Sequence, residues 1–586
     1  MYFFQHDLLK QFERHFERLY GKDRVRRCLE RLNIFLSRYD NPLNTPPQNS
    51  TLWSEQDVML ITYGDMVTTE GEQPLHTLNA FLSTYAKGTF NTIHILPFFP
   101  YSSDDGFSII DYRQVNQQLG DWNDIQNIAD NYFLGVDLVL NHVSRQSSWF
   151  QDYVAGVMPH SNYFIEASPD EDLSTVVRPR SGPLLTCTPS RAGNRHLWTT
   201  FSEDQIDLDF SNPDVFFDFL DILLMYIENG ARIIRLDAIA YLWKKLGTSC
   251  IHLPQTHEIV KLLRHILQNL APGTILFTET NVPQEENLSY FGDGDEAHMV
   301  YQFPLPPLLL HALVNETSEY LNTWLETLPE PPEHCTFLNF TASHDGIGVR
   351  PLEGLVPTKE INNLCEMTRQ KGGFVSTKKD SDGSESPYEL NITYYNALAD
   401  AENDTSPASV ARFICSQLIS LELKGIPAIY FNSLFGARNN IQAAKKNEKP
   451  RSINRQKWQA DNLKTMLDDD NTREGYIYAT LIAAVKTRTQ HPAFHPDGDQ
   501  QTVQFDSRVF AVERMSPDKQ ETVLCLNNLS NSHVTLNTDN YSKLKNNNSS
   551  QKVRDILTDQ ELIISPDQGK LILNPLQTLW LKTDET

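Results

Sequence analysis

Apolar residues follow two alternating patterns along most of this chain. Short, nearly continuous apolar runs are separated by longer stretches in which apolar residues recur at helical spacing. Runs of this kind are typical of parallel strands covered by helices on both faces, and eight of them predict an α/β fold, a closed (β/α)8 TIM barrel. The predicted strands are Val58–Tyr63, Thr92–Leu96, Val136–Leu140, Ile233–Leu236, Ile275–Thr278, Met299–Phe303, Thr336–Phe340 and Ala428–Phe431.

The same patterns predict further units around the barrel. Helical spacing near the start indicates an N-terminal helical extension, and strict alternation near the end indicates an antiparallel β domain. Two connections, after the third and seventh strands, are too long to be simple loops. The predicted division is 1–50 for the extension and linker, 51–142 with 213–472 for the barrel, 143–212 for an inserted domain, 473–500 for a connecting helix and 501–586 for the C-terminal β domain.

Composition and charge exclude several classes of function. The 586 residues are 40% hydrophobic and 21% charged, as in ordinary globular proteins, and the formal net charge is −25. Such a charge disfavours nucleic acid and anionic membranes, so neither is expected as a partner. The seven cysteines show no metal-binding spacing, and no apolar run has the length of a signal peptide core or a membrane span. We therefore expect a cytoplasmic enzyme that acts on small molecules.

Candidate chemistry lies where the predicted strands end, which is where the active sites of (β/α)8 enzymes are found. Three carboxylates, Asp237, Glu279 and Asp345, follow three different strands. Their other polar and aromatic neighbours in these segments are Asp104, Phe107, His142, Arg235 and His344.

These residue types suit acid–base and nucleophilic chemistry. Arg235 and Asp237 point to the same side of their strand, so the guanidinium is expected to lower the pKa of Asp237 and keep it ionised. Repulsion from that anion is expected to raise the pKa of Glu279 towards the range of a general acid. Taken singly, each acid is better explained as a helix cap or an arginine partner; their joint position at strand ends favours catalysis.

Asn141 after Asp137 could mark a cation site, but the oxygen ligands are incomplete, so no metal is expected.

Four segments resemble, in order and spacing, the signature regions of the α-amylase superfamily, glycoside hydrolase family 13. The resemblance implies Asp237 as nucleophile, Glu279 as general acid/base and Asp345 as stabiliser of the transition state. The four segments are 137–142, 235–237, 277–279 and 342–345.

Further motifs resemble the sucrose phosphorylase subgroup of this superfamily. They are Leu96–Pro100 with Asp104 and Phe107, Ser343–Gly348 and Ile453–Arg455. The segments 198–202, 247–253 and 278–283 and the N-terminal helical extension are similar to glucosylglycerate phosphorylases, and this likeness covers nearly the whole chain. The resemblance implies a glucosyl pocket formed by Asp104, Phe107, His142, Gln205, Arg235, Tyr241, His344 and Arg455.

The resemblance implies a retaining phosphorylase that needs no cofactor and uses inorganic phosphate as co-substrate. The implied substrates are a small glucoside, 2-O-α-D-glucosyl-D-glycerate, and phosphate; the products are α-D-glucose 1-phosphate and D-glycerate. In so acidic a chain the anions need a local cationic cluster, and Arg178 or Arg180 in the inserted segment is the first choice. Other cations left open are Lys244, Lys245 and Arg438, and the arginines of the insert could instead be solvated or paired with acids of their own loop.

Alternatives remain at this point. The segments 178–186 and 346–353 depart from sucrose phosphorylase itself, which argues against sucrose, yet sucrose, sucrose 6′-phosphate and glucosylglycerol stay open as substrates. A retaining hydrolase or transglucosidase would use the same carboxylates with water or a sugar as acceptor. A binding protein without activity is disfavoured because all three carboxylates are present. The sequence leaves the oligomeric state undetermined.

Overall fold

The structure, a computed structural model, describes residues 6–38, 43, 51–179, 182–379, 384–538, 541, 544, 551–564 and 570–583. Within these residues, eight parallel strands form a closed barrel. They are β1 Met59–Thr62, β2 Thr92–Ile95, β3 Phe133–Val139, β4 Ala231–Asp237, β5 Ile275–Thr278, β6 Met299–Tyr301, β7 Thr336–Phe340 and β8 Ile426–Tyr430. Their order in the sheet is β1-β8-β7-β6-β5-β4-β3-β2, and β2 pairs with β1. The predicted TIM barrel is confirmed.

The strand sequences explain why the barrel forms. Nearly every strand residue is buried, because side chains of one parity fill the barrel interior and those of the other pack under the helices. Boundaries differ from prediction at the ends. For example, β6 ends at Tyr301, two residues earlier than predicted, because Gln302 accepts a hydrogen bond from the Leu305 amide in the turn that starts the next helix.

Helices follow the strands around the outside of the barrel. The principal helix after β3 begins at Pro213, and the Asn212 side chain caps it by accepting a hydrogen bond from the Asp214 amide. The principal helices after β1 to β8 in turn are Pro74–Phe81, Trp122–Ala129, Pro213–Glu228, Pro254–Leu270, Gln284–Leu288, Leu305–Asn315 with Glu319–Thr327, Pro407–Glu422, and Ala460–Leu467 with Arg473–Arg488.

The N-terminal extension consists of the helices His6–Tyr20 and Lys22–Leu36, which pack against the barrel helices. Phe16 lies 6.0 Å from the ring of Phe217, and His15 binds Glu258 at 2.6 Å. The extension is therefore part of the main hydrophobic core. Residues 44–50, the linker at the end of the predicted segment 1–50, lie outside the described residues.

The two long connections carry structure of their own. The connection after β3 holds the strands His142–Ser144, Leu185–Ser190, Gly193–Trp198 and Gln205–Asp207 and the helix Ser148–Ala155. The connection after β7 holds the helix Thr358–Gln370 and a hairpin formed by Phe374–Lys379 and Glu385–Asn391.

The C-terminal part is the predicted antiparallel β domain. Its main sheet contains the strands Asp499–Thr502, Val509–Met515, Thr522–Asn528, Thr578–Thr583, Gln551–Asp555 and Gln560–Ile564. The predicted connecting helix is Arg473–Arg488, and it packs against Pro407–Glu422 on the outside of the barrel. The domain limits themselves stay a prediction. In the described part of the chain, no helix is both long and apolar enough to cross a membrane.

Candidate active site

A polar pocket opens at the carboxyl end of the barrel strands. All three predicted catalytic carboxylates line it, and so do six of the eight predicted glucosyl-binding residues. The lining residues are Asp104, Phe107, His142, Phe201, Gln205, Asp237, Ala238, Ala240, Tyr241, Glu279, Thr280, Asn281, Val282, His344, Asp345, Tyr388 and Arg451.

Asp237 is the last residue of β4, and Arg235 holds its carboxylate. The Arg235 Nη1 donates to Asp237 Oδ1 at 2.8 Å and also to Asp137, which comes from the neighbouring strand β3. Asp137 in turn binds Nε2 of His94 at 2.7 Å. Because all these groups are buried, the chain of contacts fixes the orientation of Asp237.

Glu279 directly follows β5 and meets the end of β4. Its Oε2 accepts a hydrogen bond from the Ala238 amide at 3.1 Å, and its own amide donates to the Leu236 carbonyl at 3.1 Å. Ala238 has φ of 49°, in the left-handed region that alanine rarely adopts. Local backbone strain of this type is stored at functional sites, and here it directs an amide proton at Glu279.

Burial raises the pKa of both Asp237 and Glu279. For Glu279 the predicted direction is confirmed; burial is the largest cause and the charge of Asp345 adds to it. For Asp237 the prediction of a low pKa is wrong. Arg235 does lower the pKa of Asp237, but desolvation and repulsion from Glu279 and Asp137 outweigh it, since Arg235 divides its charge between two carboxylates.

Asp345 lies in a cationic environment. Burial alone would raise the pKa of its carboxyl group, but Arg451, His344 and Arg455 lower that pKa well below its usual range. Arg451 Nη1 lies 2.5 Å from Asp345 Oδ1, and Arg455 Nη2 lies 3.7 Å from the same oxygen. The carboxyl group of Asp345 is therefore ionised in the folded protein throughout the pH range near neutrality.

Phe107, His142 and His344 form one wall of the pocket. The ring of His344 stacks on Phe107 with 4.9 Å between centroids and 6° between planes. His142 Nε2 lies 2.9 Å from the Phe107 carbonyl and 3.1 Å from the Gln205 amide nitrogen. Burial lowers the pKa of both histidines, that of His344 to about 3, so both rings are neutral hydrogen-bonding groups.

Asp104 enters the pocket from a strained turn after β2. Asp104, Asp105 and Gly106 all have positive φ, and a Cβ on Gly106 would lie 2.7 Å from the Pro97 carbonyl oxygen. Only glycine fits there without a shift of the backbone. Arg455 binds Asp105, not Asp104, and it borders an adjoining cleft lined also by Asp104, Gln205 and Arg451.

None of the predicted anion-binding cations that the structure describes lines the pocket. Arg178 is half-buried, is absent from the pocket lining, and its Nε has no hydrogen-bond partner in the described part of the chain. Arg180 lies outside the described residues. Lys244 is buried against Asp207 at 2.7 Å, which neutralises it, while Lys245 and Arg438 are exposed.

Eight lining residues were missed by the sequence analysis: Phe201, Ala238, Ala240, Thr280, Asn281, Val282, Tyr388 and Arg451. Arg451 had a detectable signal, because it stands four residues before Arg455 in the segment already noted for Ile453–Arg455. Tyr388 had none, since it reaches the pocket from the hairpin in the polar connection after β7. Among the described lining residues, Arg451 is the one cation, and it also binds the buried Glu389 at 3.0 Å.

Comparison with known proteins identifies the family. The alpha-amylase catalytic domain family matches residues 85–344. The chain is 44% identical to the glucosylglycerate phosphorylase of Spirochaeta thermophila over 516 residues, which is 87% of this chain and 88% of that protein. It belongs to the α-amylase family. The glucosylglycerate phosphorylase of Escherichia coli is 42% identical over 90% of this chain and 92% of its own.

The fold comparison agrees with this α-amylase-family assignment. The crystal structure of sucrose 6F-phosphate phosphorylase from Thermoanaerobacter thermosaccharolyticum superposes with a TM-score of 0.72 at 25% identity, covering 87% of this chain and 98% of that one. In the described part of this α-amylase-family chain, no group of three or more His, Cys, Asp or Glu side chains is arranged to hold a metal ion.

Replacing Arg451 is expected to destabilise this α-amylase-family protein and to impair its site. In Arg451→Gln, Asp345 and Glu389 lose their shared cation, and breaking a buried ion pair costs about 3 kcal/mol or more. The low pKa of Asp345 contributes stability above its unfolded pKa, and this contribution is lost as the pH falls through the folded value. The stability deficit of the variant should therefore narrow below about pH 4.

Urea unfolding of Arg451→Gln and of the wild type between pH 3.5 and 8 measures this difference in stability. Arg438→Gln is the matched control, because Arg438 is exposed and touches neither carboxylate in the described structure. Equal stabilities of Arg451→Gln and the wild type at pH 7 would contradict the interpretation.

Proposed function

We propose that this protein is a retaining glycoside phosphorylase that converts 2-O-α-D-glucosyl-D-glycerate and phosphate to α-D-glucose 1-phosphate and D-glycerate. The observation that carries the proposal is the 42–44% identity, over about nine tenths of the chain, to proteins named glucosylglycerate phosphorylase. The three carboxylates in one pocket at the barrel mouth support it, because a double displacement on a sugar uses two carboxyl groups, one as nucleophile and one as acid/base.

The first displacement transfers the glucosyl unit to the enzyme. Asp237 attacks the anomeric carbon, and the bond from that carbon to O2 of glycerate breaks. The electron pair goes to the glycerate oxygen, which takes a proton from Glu279. The product is a β-glucosyl ester of Asp237.

The contacts favour this division of roles, although burial raises the pKa of both carboxyl groups. Arg235 donates a hydrogen bond to Asp237 at 2.8 Å, which lowers the pKa of Asp237 without overcoming burial. Glu279 accepts a hydrogen bond from a neutral group, the Ala238 amide. Because Asp237 has the direct contact that stabilises an anion, we assign Asp237 as the nucleophile and Glu279 as the acid.

The second displacement releases the product. A phosphate oxygen attacks the anomeric carbon from the face that glycerate has left, and the electron pair of the ester bond returns to Asp237. Glu279, now a carboxylate, accepts the phosphate proton. Two inversions give net retention, so the product is α-D-glucose 1-phosphate, and no cofactor enters either step.

The remaining lining residues would hold the glucosyl ring. Asp104, Gln205 and Tyr241 offer polar atoms to sugar hydroxyls, and Phe107 offers an apolar face. Neutral His142 and His344 would donate hydrogen bonds without adding charge near the oxocarbenium-like transition state. Asp345, held ionised by its arginines, would stabilise that positive charge.

Phosphate needs a cation beyond Arg451, which already serves Asp345 and Glu389. We retain Arg178 or Arg180 for this role. Arg178 is half-buried, burial lowers its pKa, and no acid neutralises it in the described part of the chain. A guanidinium left in that state is suited to a bidentate oxyanion.

Replacing Arg178 is expected to weaken phosphate use selectively. In Arg178→Gln, the KM for phosphate should rise about tenfold or more, because a charge-assisted hydrogen bond is lost, while glucosyl transfer to water stays within about twofold. Initial rates at varied phosphate measure this, with Arg191→Gln as an exposed control from the same insert. An unchanged KM for phosphate would remove Arg178 from the proposed role.

Aglycone choice is tested with four substrates. With inorganic phosphate present, we expect kcat/KM for the glucoside to be highest for 2-O-α-D-glucosyl-D-glycerate. It should be at least about tenfold lower for sucrose, sucrose 6′-phosphate and glucosylglycerol. A preference for sucrose 6′-phosphate would instead favour the activity named for the superposed crystal structure.

Since all seven cysteines are free thiols, we also propose a cytoplasmic location, where thiols stay reduced.

A further inference from the structure

A second cleft lies at the opposite end of the barrel from the candidate active site. It has a volume of about 650 Å³ and is bordered by segments that precede β6, β7 and β8, together with the end of the helix Pro254–Leu270. Its lining includes Trp53, Arg264, Gln268, His298 and Cys335. None of these residues takes part in the proposed reaction.

Arg264 is a buried charge without a counter-ion in this cleft. Its exposed fraction is 2%, and no carboxylate of the described residues forms an ion pair with it. The one hydrogen bond found for it within the described chain is a long one, 3.4 Å from Nη1 to the Glu296 carbonyl, and its Nε has no partner. A guanidinium rarely stays charged and buried unless its donors are used.

Other buried arginines of this protein show how the chain satisfies such a group. Arg488 donates four hydrogen bonds to main-chain carbonyls, and Arg514 donates three. Arg264 is nearly as buried as these two arginines. Its side chain, however, lines an open cleft, whereas theirs are surrounded by main-chain carbonyls. Its unused donors therefore indicate room for an external acceptor.

His298 adds a second donor. Its Nδ1 accepts a hydrogen bond from the Leu276 amide at 3.0 Å, so the proton of the neutral ring is on Nε2. Burial, and then the charge of Arg264, lower the pKa of His298 well below its usual value, so the ring is neutral. No acceptor for the Nε2 proton is present among the described residues, and His298 lines the cleft.

The other lysine or arginine at the cleft has an acidic partner, since Lys424 binds Glu330. Asp497 accepts a hydrogen bond from the Trp53 indole at 2.8 Å, and Glu333 lies 3.5 Å from His334. Within the described structure, Arg264 is therefore the guanidinium or ammonium group of the cleft that has no acidic partner.

We propose that this cleft is a second binding site for a small oxyanion, bound by the guanidinium of Arg264 and by Nε2–H of His298. Phosphate and carboxylate groups share the required chemistry, because each offers several oxygens to a guanidinium fork. The site is separate from the anion site of the proposed reaction and does not depend on the proposed function.

Thermal unfolding with defined anions tests the site. The probes are inorganic phosphate, D-glycerate and α-D-glucose 1-phosphate, with chloride at equal ionic strength as reference. At least one probe should raise the Tm of the wild type, and that rise should be smaller in Arg264→Met, in which only the catalytic pocket still binds the anion. Without anion, Arg264→Met should melt at least as high as the wild type, because it removes an unpaired buried charge; a purely structural arginine would give a lower Tm.

Equilibrium dialysis of the same anions gives the binding itself. We expect one bound anion fewer per chain, or at least about tenfold weaker binding at one of two sites, in Arg264→Met and in His298→Asn. His298→Asn keeps a side-chain acceptor for the Leu276 amide, so its fold should persist. Lys261→Met, on the same helix but outside the cleft lining, is the charge-matched control and should bind like the wild type.

Measurements of activity distinguish this site from the catalytic one. Both cleft variants should retain kcat and KM for the phosphorolysis within about twofold, because Arg264 and His298 lie at the other end of the barrel. The proposal is overturned if a folded Arg264→Met variant binds the three anions as the wild type does, or if no anion binds the wild type outside the catalytic pocket.

Discussion

Asp237→Asn should reduce kcat by about 10⁴-fold or more while the fold remains intact, since it removes the proposed nucleophile. Arg235 keeps its ion pair with Asp137 in this variant, and Asp137 keeps its contact with His94, so the buried network around position 237 still has its charges matched. The asparagine also has nearly the volume of the aspartate. Purified protein assayed for α-D-glucose 1-phosphate, with circular dichroism and Tm alongside, measures both parts of the prediction.

The control for this experiment is Asp57→Asn. Asp57 is a buried aspartate of the barrel that binds the Asn91 side chain at 2.9 Å, and it is absent from the pocket lining. It should lower stability and leave kcat within about threefold. Wild-type activity in Asp237→Asn would remove Asp237 from the role of nucleophile, whatever the outcome for Asp57.

Glu279→Gln should reduce kcat for glucosylglycerate by about 10²- to 10⁴-fold, because the glutamine amide has no proton to give to the departing glycerate. The amide oxygen can still accept the hydrogen bond from the Ala238 amide, so the local geometry should persist. With α-glucosyl fluoride, whose leaving group needs no protonation, the formation of the glucosyl-enzyme should recover by at least about tenfold relative to glucosylglycerate.

The pH profile gives an independent check on Glu279. The first displacement requires its protonated form, and its pKa is raised by burial, so kcat/KM for glucosylglycerate should fall as the pH rises through that raised value. This alkaline limb should disappear in Glu279→Gln. A variant that loses as much activity on the fluoride as on glucosylglycerate would contradict the assignment of Glu279 as acid.

The barrel was predictable because its strands are buried on both faces. Runs such as Ile275–Thr278 and Thr336–Phe340 need no alternation, and both bounds match the observed strands. Prediction was less precise where an apolar run meets a turn. At β6, for example, the hydrogen bond at the start of the next helix determines where the strand ends. The strands Gln551–Asp555 and Gln560–Ile564 were missed, because the first has one apolar residue, Val553, and the second does not alternate.

The candidate site was predictable as far as the barrel strands determine it. Asp237, Glu279 and Asp345 follow strand ends, and parallel strands bring such positions together. The contribution of the hairpin after β7 was not predictable, because nothing local shows that Tyr388 and Glu389 fold back towards Arg451. The pKa of Asp237 was also out of reach, since its direction depends on burial and on how Arg235 divides its charge between two carboxylates.

The central claim is that the glucosyl-enzyme is released by phosphate and with retained configuration. The most direct measurement is to incubate the enzyme with 2-O-α-D-glucosyl-D-glycerate, with and without inorganic phosphate, and to follow the anomeric products by NMR. We expect α-D-glucose 1-phosphate with phosphate and at most slow glucose release without it. Glucose released at the same rate in both reactions, or β-D-glucose 1-phosphate as the product, would contradict the account.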